Sequence, residues 1–114
     1  MIPRAVIFSI DYRLAPNSKF PDQVEDCWQA YVWIILNAKQ VFGIDFKNVV
    51  LVGDSAGGNL AISITVMAIK RGFRSPDALK PCYPSTIVSP DSFWPSILCA
   101  IDDSFLSQGM LVIF

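Results

Sequence analysis

Apolar residues cluster along this chain in two periods, and each period names an element. Ala5-Val6-Ile7-Phe8-Ser9-Ile10 is an almost unbroken apolar run of β-branched and aromatic residues, which predicts a strand covered on both faces. Asp11 to Pro21 carries two prolines among polar positions and predicts a loop. Val24, Cys27, Trp28, Tyr31, Ile35 and Ala38 then recur at three- and four-residue intervals, the stripe of an amphipathic helix reaching about Lys39. Pro21 can open that helix, and Asp22, Glu25 and Asp26 sit in its first turns, where the helix dipole favours negative charge.

Gly43 marks a turn, and Val49-Val50-Leu51-Val52 reads as a second buried strand. Strand, helix and strand in this order predict a right-handed crossover and a parallel sheet with helices on its faces. From about Ala56 to Arg71 a helix follows that is apolar nearly all round, the signature of a central, buried helix; Lys70-Arg71-Gly72 closes it with a basic last turn and a glycine stop. Pro76, Pro81, Pro84, Pro90 and Pro95 argue against any long helix or central strand over 73–96. Ile97 to Ile101 and Gly109 to Phe114 are apolar with no clear period, and the apolar ending reads as a segment of a larger fold.

Composition agrees with a folded piece about the size of one small domain. Of 114 residues, 53% are hydrophobic and 17% charged, with a net charge of −1. The basic residues are scattered, which leaves no electrostatic footprint for nucleic acid. The longest uncharged stretch, Ser55 to Ile69, is shorter than the ~20 residues that span a bilayer, and the first ten residues make a poor signal peptide, so a soluble chain without a transmembrane segment is expected. Cys27, Cys82 and Cys99 are odd in number, widely spaced and without a Cys-x-x-Cys pair or a histidine partner. They read as reduced thiols of a cytoplasmic protein, with no metal and no cofactor.

The chemistry concentrates at Gly53-Asp54-Ser55-Ala56-Gly57-Gly58, where the second strand turns into the second helix. A serine hydroxyl is a weak nucleophile, and a tight strand-to-helix turn lifts it clear of the sheet beside backbone amides that can hold an oxyanion. Gly53 and Gly57 are expected to supply the room this turn needs, and the Ala56 amide to be one oxyanion donor. Close helix packing through Gly57-Gly58 is the plainer explanation of the glycines. A phosphate loop lacks its Gly-x-Gly-x-x-Gly or Gly-Lys-Ser/Thr spacing. The chain contains no histidine, and Lys47 and Lys70 lie at the far ends of the flanking elements, so no base for Ser55 is in view.

Two motifs in order carry a resemblance. Ile10-Asp11-Tyr12-Arg13-Leu14-Ala15-Pro16 with Phe20-Pro21, Glu25-Asp26-Cys27 and Trp33, followed by Val52-Gly53-Asp54-Ser55-Ala56-Gly57-Gly58-Asn59-Leu60, resembles the hormone-sensitive lipase family of α/β-hydrolases. The likeness is strong over 5–72 and looser over 73–110, where Tyr83-Pro84-Ser85, Ser89-Pro90 and Asp102-Asp103 to Met110 take part. It implies that residues 1–114 are part of one catalytic domain with a partial α/β-hydrolase fold, a mostly parallel sheet between helical layers. The implied activity is hydrolysis of carboxylic esters, acylglycerols or steryl esters, through an acyl-serine intermediate, with a lipid or small ester as the bound partner and the cytoplasm, at lipid droplets, as the setting. Ser55 matches the nucleophile and the Ala56 amide one oxyanion donor. The family's His-Gly-Gly-Gly motif, catalytic acid and histidine have no counterpart in these residues, Asp102 and Asp103 matching an earlier acidic segment, so the chain alone is expected to be inactive. The alternative is a non-catalytic remnant that binds a lipid or a protein partner. The resemblance leaves the oligomeric state open.

Several neighbouring residues have structural readings beside functional ones. Asp54 is expected to form a local hydrogen bond at the helix start, or else to tune the turn. Asp11, Tyr12 and Arg13 are expected to make a structural ion pair or loop bracket rather than the floor of a site. Trp28, Tyr31 and Trp33 are expected to pack rather than to line an acyl pocket, and Asn59 to support the turn by hydrogen bonding.

Overall fold

The computed structural model describes residues 5–86. The chain divides into two units, Met1–Pro84 and Ser85–Phe114, and all the elements below belong to the first. Helix α1 (Asp22–Phe42) is followed by strand β1 (Val50–Asp54), helix α2 (Ala56–Lys70) and strand β2 (Ala78–Cys82). β1 and β2 pair in parallel, Val50 opposite Ala78 through Asp54 opposite Cys82, with α2 as the crossover. The expected parallel α/β arrangement is therefore present, carried by a strand–helix–strand unit one step further along the chain.

α1 begins after Pro21, with Asp22 and Glu25 in its first turn, and runs to Phe42, beyond the expected end near Lys39. Gly43, at φ 68°, ends it: the Gly43 amide donates to the Lys39 carbonyl at 3.0 Å and the Ile44 amide to the Ala38 carbonyl at 3.2 Å. Glycine adopts that left-handed conformation without a Cβ clash, and the two bonds satisfy carbonyls the helix would otherwise leave open. The predicted stripe faces inward, with Cys27, Tyr31 and Ala38 buried and Val24, Trp28 and Ile35 packed around them.

The core lies between α1 and α2, where Cys27 and Tyr31 meet Leu60, Ile64 and Ala68, and Val49, Leu51 and Phe73 close it from the sheet side and the following loop. Phe73 sets its edge against Trp28 and Tyr31 at ring-centroid distances of 5.8 and 6.2 Å, and the Arg71 guanidinium lies 4.9 Å over Trp28. The Tyr31 hydroxyl donates to the Arg74 carbonyl at 2.8 Å, giving a buried phenol its partner and tying α1 to the chain beyond α2. Burial pushes the Cys27 thiol up to about 11, and Cys27 and Cys82 are both free. Cys99 lies outside the described residues, as do the apolar runs 97–101 and 109–114.

Two expectations are corrected. Ala5–Ile10 is not a strand: it pairs with no neighbour among the described residues, and Ile7 is 87% exposed. Its composition suits a doubly covered strand, but such a strand exists only through its neighbours. Second, α2 is buried on one side only; Leu60, Ala61, Ile64 and Ala68 face the core while Val66 and Ile69 are exposed. The face of β1 carrying Val50 and Val52, the latter 65% exposed, is likewise uncovered among the described residues, which hold part of the three-layer fold.

β2 crosses the proline-rich stretch as a short strand paired on one side among the described residues, so the expected absence of a long helix or central strand there is not contradicted. Parallel ladder residues direct their N–H and C=O groups to alternate sides. The Ala78 amide donates to Val49 and the Cys82 carbonyl accepts from Ser55, so residues 78, 80 and 82 face β1 and Pro81 faces away. Its missing N–H costs no bond to β1. Asp77 starts the ladder: its carboxylate accepts the Val49 amide at 2.7 Å while its own amide donates to the Val49 carbonyl at 2.8 Å. Arg74 donates to that carboxylate at 3.3 Å and to the Lys47 carbonyl at 3.1 Å.

Arg13 fastens the loop before α1 to the helix. Its Nε lies 3.1 and 2.9 Å from the two Asp26 oxygens, a terminal nitrogen reaches Oδ1 at 2.8 Å, and its backbone amide donates to Oδ2 at 3.0 Å. The expected structural ion pair is present. The hydrogen bonds from Arg13 hold the Asp26 carboxyl down at about 2. A carboxyl held below its unfolded value of ~3.9 stabilises the fold above that value and ceases to do so as pH falls through about 2. Asp26→Asn is expected to lower Tm at neutral pH, and the gap from wild type to close between about pH 4 and pH 2 in thermal melts followed by circular dichroism. Removing buried packing atoms with Ile64→Ala is expected to cost about 2–5 kcal/mol in denaturant unfolding.

Candidate active site

β1 ends at Asp54 and α2 starts at Ala56, so Ser55 alone turns the chain from strand to helix. It does so at φ 49° and ψ −116°, a conformation that L side chains rarely adopt. Its backbone is held on both sides: the Ser55 amide donates to the Cys82 carbonyl at 2.9 Å, and the Ser55 carbonyl accepts the Asn59 amide at 3.1 Å. A strained residue persists only where its surroundings over-determine it, and such residues concentrate at functional sites. Ser55 is exposed, at the carboxyl end of the parallel strands, the edge where open α/β sheets bind ligands.

The glycines divide their work differently from the expectation. A Cβ on Gly53 would fall on the Gly57 carbonyl, so strand and helix backbones touch there. A Cβ on Gly58 would sit 3.1 Å from the Gly53 carbonyl oxygen, 3.2 Å from that of Cys82 and 3.2 Å from the Pro84 Cβ. At Gly57 the nearest atom would be Asp54 Oδ1 at 4.0 Å, an ordinary contact. The turn therefore needs glycine at 53, is tight at 58 and has space at 57, because α2 leaves the sheet with the Gly58 side of its first turn facing both strands.

Ala56 is the first residue of α2, exposed, and the amides of a first helical turn have no intrahelical acceptor. These amides and the positive end of the helix dipole make the ground beside Ser55 favourable for an oxyanion. Asp54 forms no hydrogen bond among the described residues, so the expected local bond is absent; its carboxylate lies over the first turn of α2 beside Gly57. The Asn59 side chain accepts from the Ser63 hydroxyl at 3.4 Å, within the helix that follows the turn.

The other candidates lie away from the turn. Arg13 is committed to Asp26, and Tyr12 packs against the core. Trp28 and Tyr31 belong to the packing described above. Trp33 is 46% exposed, stacks edge-on to Phe42 at 6.1 Å, and with Phe8, Ile10, Asp11 and Asp26 lines an open cavity of about 370 Å³ that includes no residue of the serine turn. Lys70 closes α2, about 21 Å along the helix axis from Ala56 at 1.5 Å per residue, and Lys47 precedes β1, at the end of the strand opposite Ser55. Among the described residues no group of three or more acidic, cysteine or histidine residues could hold a metal ion. Ser89-Pro90, Asp102, Asp103 and Met110 lie outside the described residues. The sequence pattern missed the end of β2, whose Cys82 carbonyl and following Tyr83 stand beside Ser55; the prolines around it masked the strand.

Residues 3–114 match the family model of the alpha/beta hydrolase fold. The chain is 40% identical over 105 residues to hormone-sensitive lipase of Mus musculus, covering 92% of this chain and 14% of that protein. It is 39% identical over 110 residues to esterase LipI of Mycobacterium tuberculosis, covering 96% of this chain and 33% of that one. Among solved structures, the hyperthermophilic esterase of the archaeon Pyrobaculum calidifontis superimposes with a TM-score of 0.78 at 33% identity, over 89% of this chain and 32% of that chain. The chain thus spans a third or less of each protein it matches here.

Single alanines at the three glycines test the geometry of the turn. Gly53→Ala is expected to be the most damaging because its Cβ meets backbone. Gly58→Ala is expected to cost about 1–3 kcal/mol, the usual range for overpacking, and Gly57→Ala to fall within about 1 kcal/mol of wild type. Denaturant unfolding of the three variants gives the order.

Proposed function

The chain belongs to the alpha/beta hydrolase fold family, and we propose that it carries the nucleophile of a serine carboxylic-ester hydrolase. The observation that supports this most directly is the strained Ser55 turn, exposed at the carboxyl edge of a parallel sheet and followed immediately by a helix N-terminus. On this reading the Ser55 Oγ attacks the ester carbonyl carbon, and the carbonyl oxygen becomes an oxyanion facing the Ala56 amide. Collapse of that intermediate expels the alcohol and leaves an acyl-serine, which water hydrolyses to the free acid. Close relatives are a lipase and esterases, which supports a lipid ester such as an acylglycerol or a steryl ester as substrate.

The 114 residues contain no histidine. The base, its acid partner and the remaining oxyanion donors are proposed to come from protein outside this stretch, whose 1–114 would then be one part of a single catalytic domain. The working place on this reading is the cytoplasm, at the surface of lipid droplets. No helix among the described residues is long and apolar enough to cross a membrane.

A serine-directed fluorophosphonate applied to the full-length protein is expected to modify Ser55, mapped by peptide mass spectrometry, and Ser55→Ala is expected to abolish both labelling and ester turnover. Loss of triad members costs on the order of 10⁴ to 10⁶ in turnover, so residues 1–114 alone are expected to show no ester hydrolysis above background. A full-length protein that hydrolyses esters equally well with alanine at 55 would refute the assignment, and one that hydrolyses none while binding lipid would favour a non-catalytic role.

A further inference from the structure

Among the described residues two that are not glycine have positive φ, Ser55 at 49° and Tyr83 at 36°. They are neighbours across the ladder. Asp54 is the register partner of Cys82, so each follows the last paired residue of its strand, and the Ser55 amide bonds to the Cys82 carbonyl directly before Tyr83. Adjacent strands run about 4.8 Å apart, which puts the two backbones side by side at the carboxyl edge of the sheet. Tyr83 is 74% exposed, and no hydrogen bond or ring contact among the described residues holds it.

A bulky aromatic residue in the left-handed region is an outlier, and asparagine or glycine would occupy the same backbone at lower cost. Packing within the described residues does not explain the choice, because they leave the side chain mostly uncovered. An exposed aromatic ring kept at a strained position beside the reactive serine supplies apolar contact area there, and ligand sites are lined by apolar and aromatic side chains. Pro84, next in sequence, bears on Gly58, where a Cβ would come within 3.2 Å of it, so the strand end that carries Tyr83 is seated against the first turn of α2.

We propose that Tyr83 is a specificity-determining residue of the ester-hydrolysing site, its ring forming a wall for the apolar portion of the ester bound at Ser55. This rests on Ser55 being the nucleophile. Since the ring's role is contact rather than proton transfer, it changes which esters are preferred and leaves the reactivity of the serine intact.

The test uses the full-length protein with Tyr83→Asn, Tyr83→Gly and Tyr83→Phe. Two ester series are compared by kcat/KM: p-nitrophenyl acetate, butyrate and octanoate, which vary the acyl chain, and ethyl, butyl and hexyl butyrate, which vary the alcohol. Asparagine and glycine tolerate positive φ, so both variants are expected to fold with Tm equal to or above wild type. In each, the preference for the longest over the shortest member is expected to fall at least fivefold in one series, which identifies the portion that meets the ring. Phosphonylation of Ser55 by a small fluorophosphonate is expected to stay within threefold of wild type, and Tyr83→Phe to keep the preference. A preference unchanged within twofold in both series overturns the proposal. So does an equal loss on every ester and on the probe, or a drop in Tm for both Asn and Gly, because each marks Tyr83 as structural. Failure of Ser55 itself reads differently: wild type would then be unlabelled and insensitive to Ser55→Ala.

Discussion

Helix α2 starts one residue after β1 ends, and this forces backbone against backbone at Gly53, Gly57, Gly58 and Cys82. With no side chain between them, the helix axis can approach the sheet until the Gly53 site has no room for even a methyl group. That approach leaves Ser55 one way to connect the two elements, at positive φ with its amide on Cys82 and its carbonyl on Asn59. The strand β2 is part of the same constraint, since its terminal carbonyl holds the Ser55 amide and its next residues abut Gly58. An exposed hydroxyl and an open helix N-terminus are consequences of this junction, and the core of α1 and α2 is what keeps it closed.

Around that junction the fold is held by polar fastenings at its periphery. Arg13 and Asp26 pin the loop before α1 to the helix, and Arg74, Asp77 and Val49 clasp the start of the β1–β2 ladder. Tyr31 joins these two regions through the core by its bond to the Arg74 carbonyl. The apolar surfaces of Val50 and Val52 and of Val6 and Ile7 are open in the described residues. In α/β proteins such surfaces are covered by further helices and strands, in keeping with a chain that spans 14% of the mouse lipase it matches.

The parts legible in the sequence are those whose signals are local. The three- and four-residue spacing from Val24 to Ala38 is a property of α1 itself, and Gly43 acts within its own turn, so both could be read without knowing any neighbour. The serine turn was legible for the same reason, since glycine, serine and glycine at short spacing describe one backbone event. Ala5–Ile10 was misread and β2 went unread because strands are defined by partners. The first has strand composition and no partner among the described residues, whereas Pro81 sits in a strand because its nitrogen faces away from β1. The division of labour between Gly57 and Gly58 was hidden because it depends on which side of α2 meets the strands, and the place of Tyr83 because it depends on the β1–β2 register.

If Ser55 is kept in a strained backbone for its chemistry, stability and function are opposed at that one residue. Thermal unfolding of Ser55→Gly beside wild type in the full-length protein, with ester turnover measured on the same samples, tests this directly. Glycine relieves the positive φ, so a strained nucleophile predicts a Tm equal to or higher than wild type together with complete loss of turnover. A lower Tm with turnover retained would contradict it, showing that Ser55 serves the fold and that the chemistry lies elsewhere.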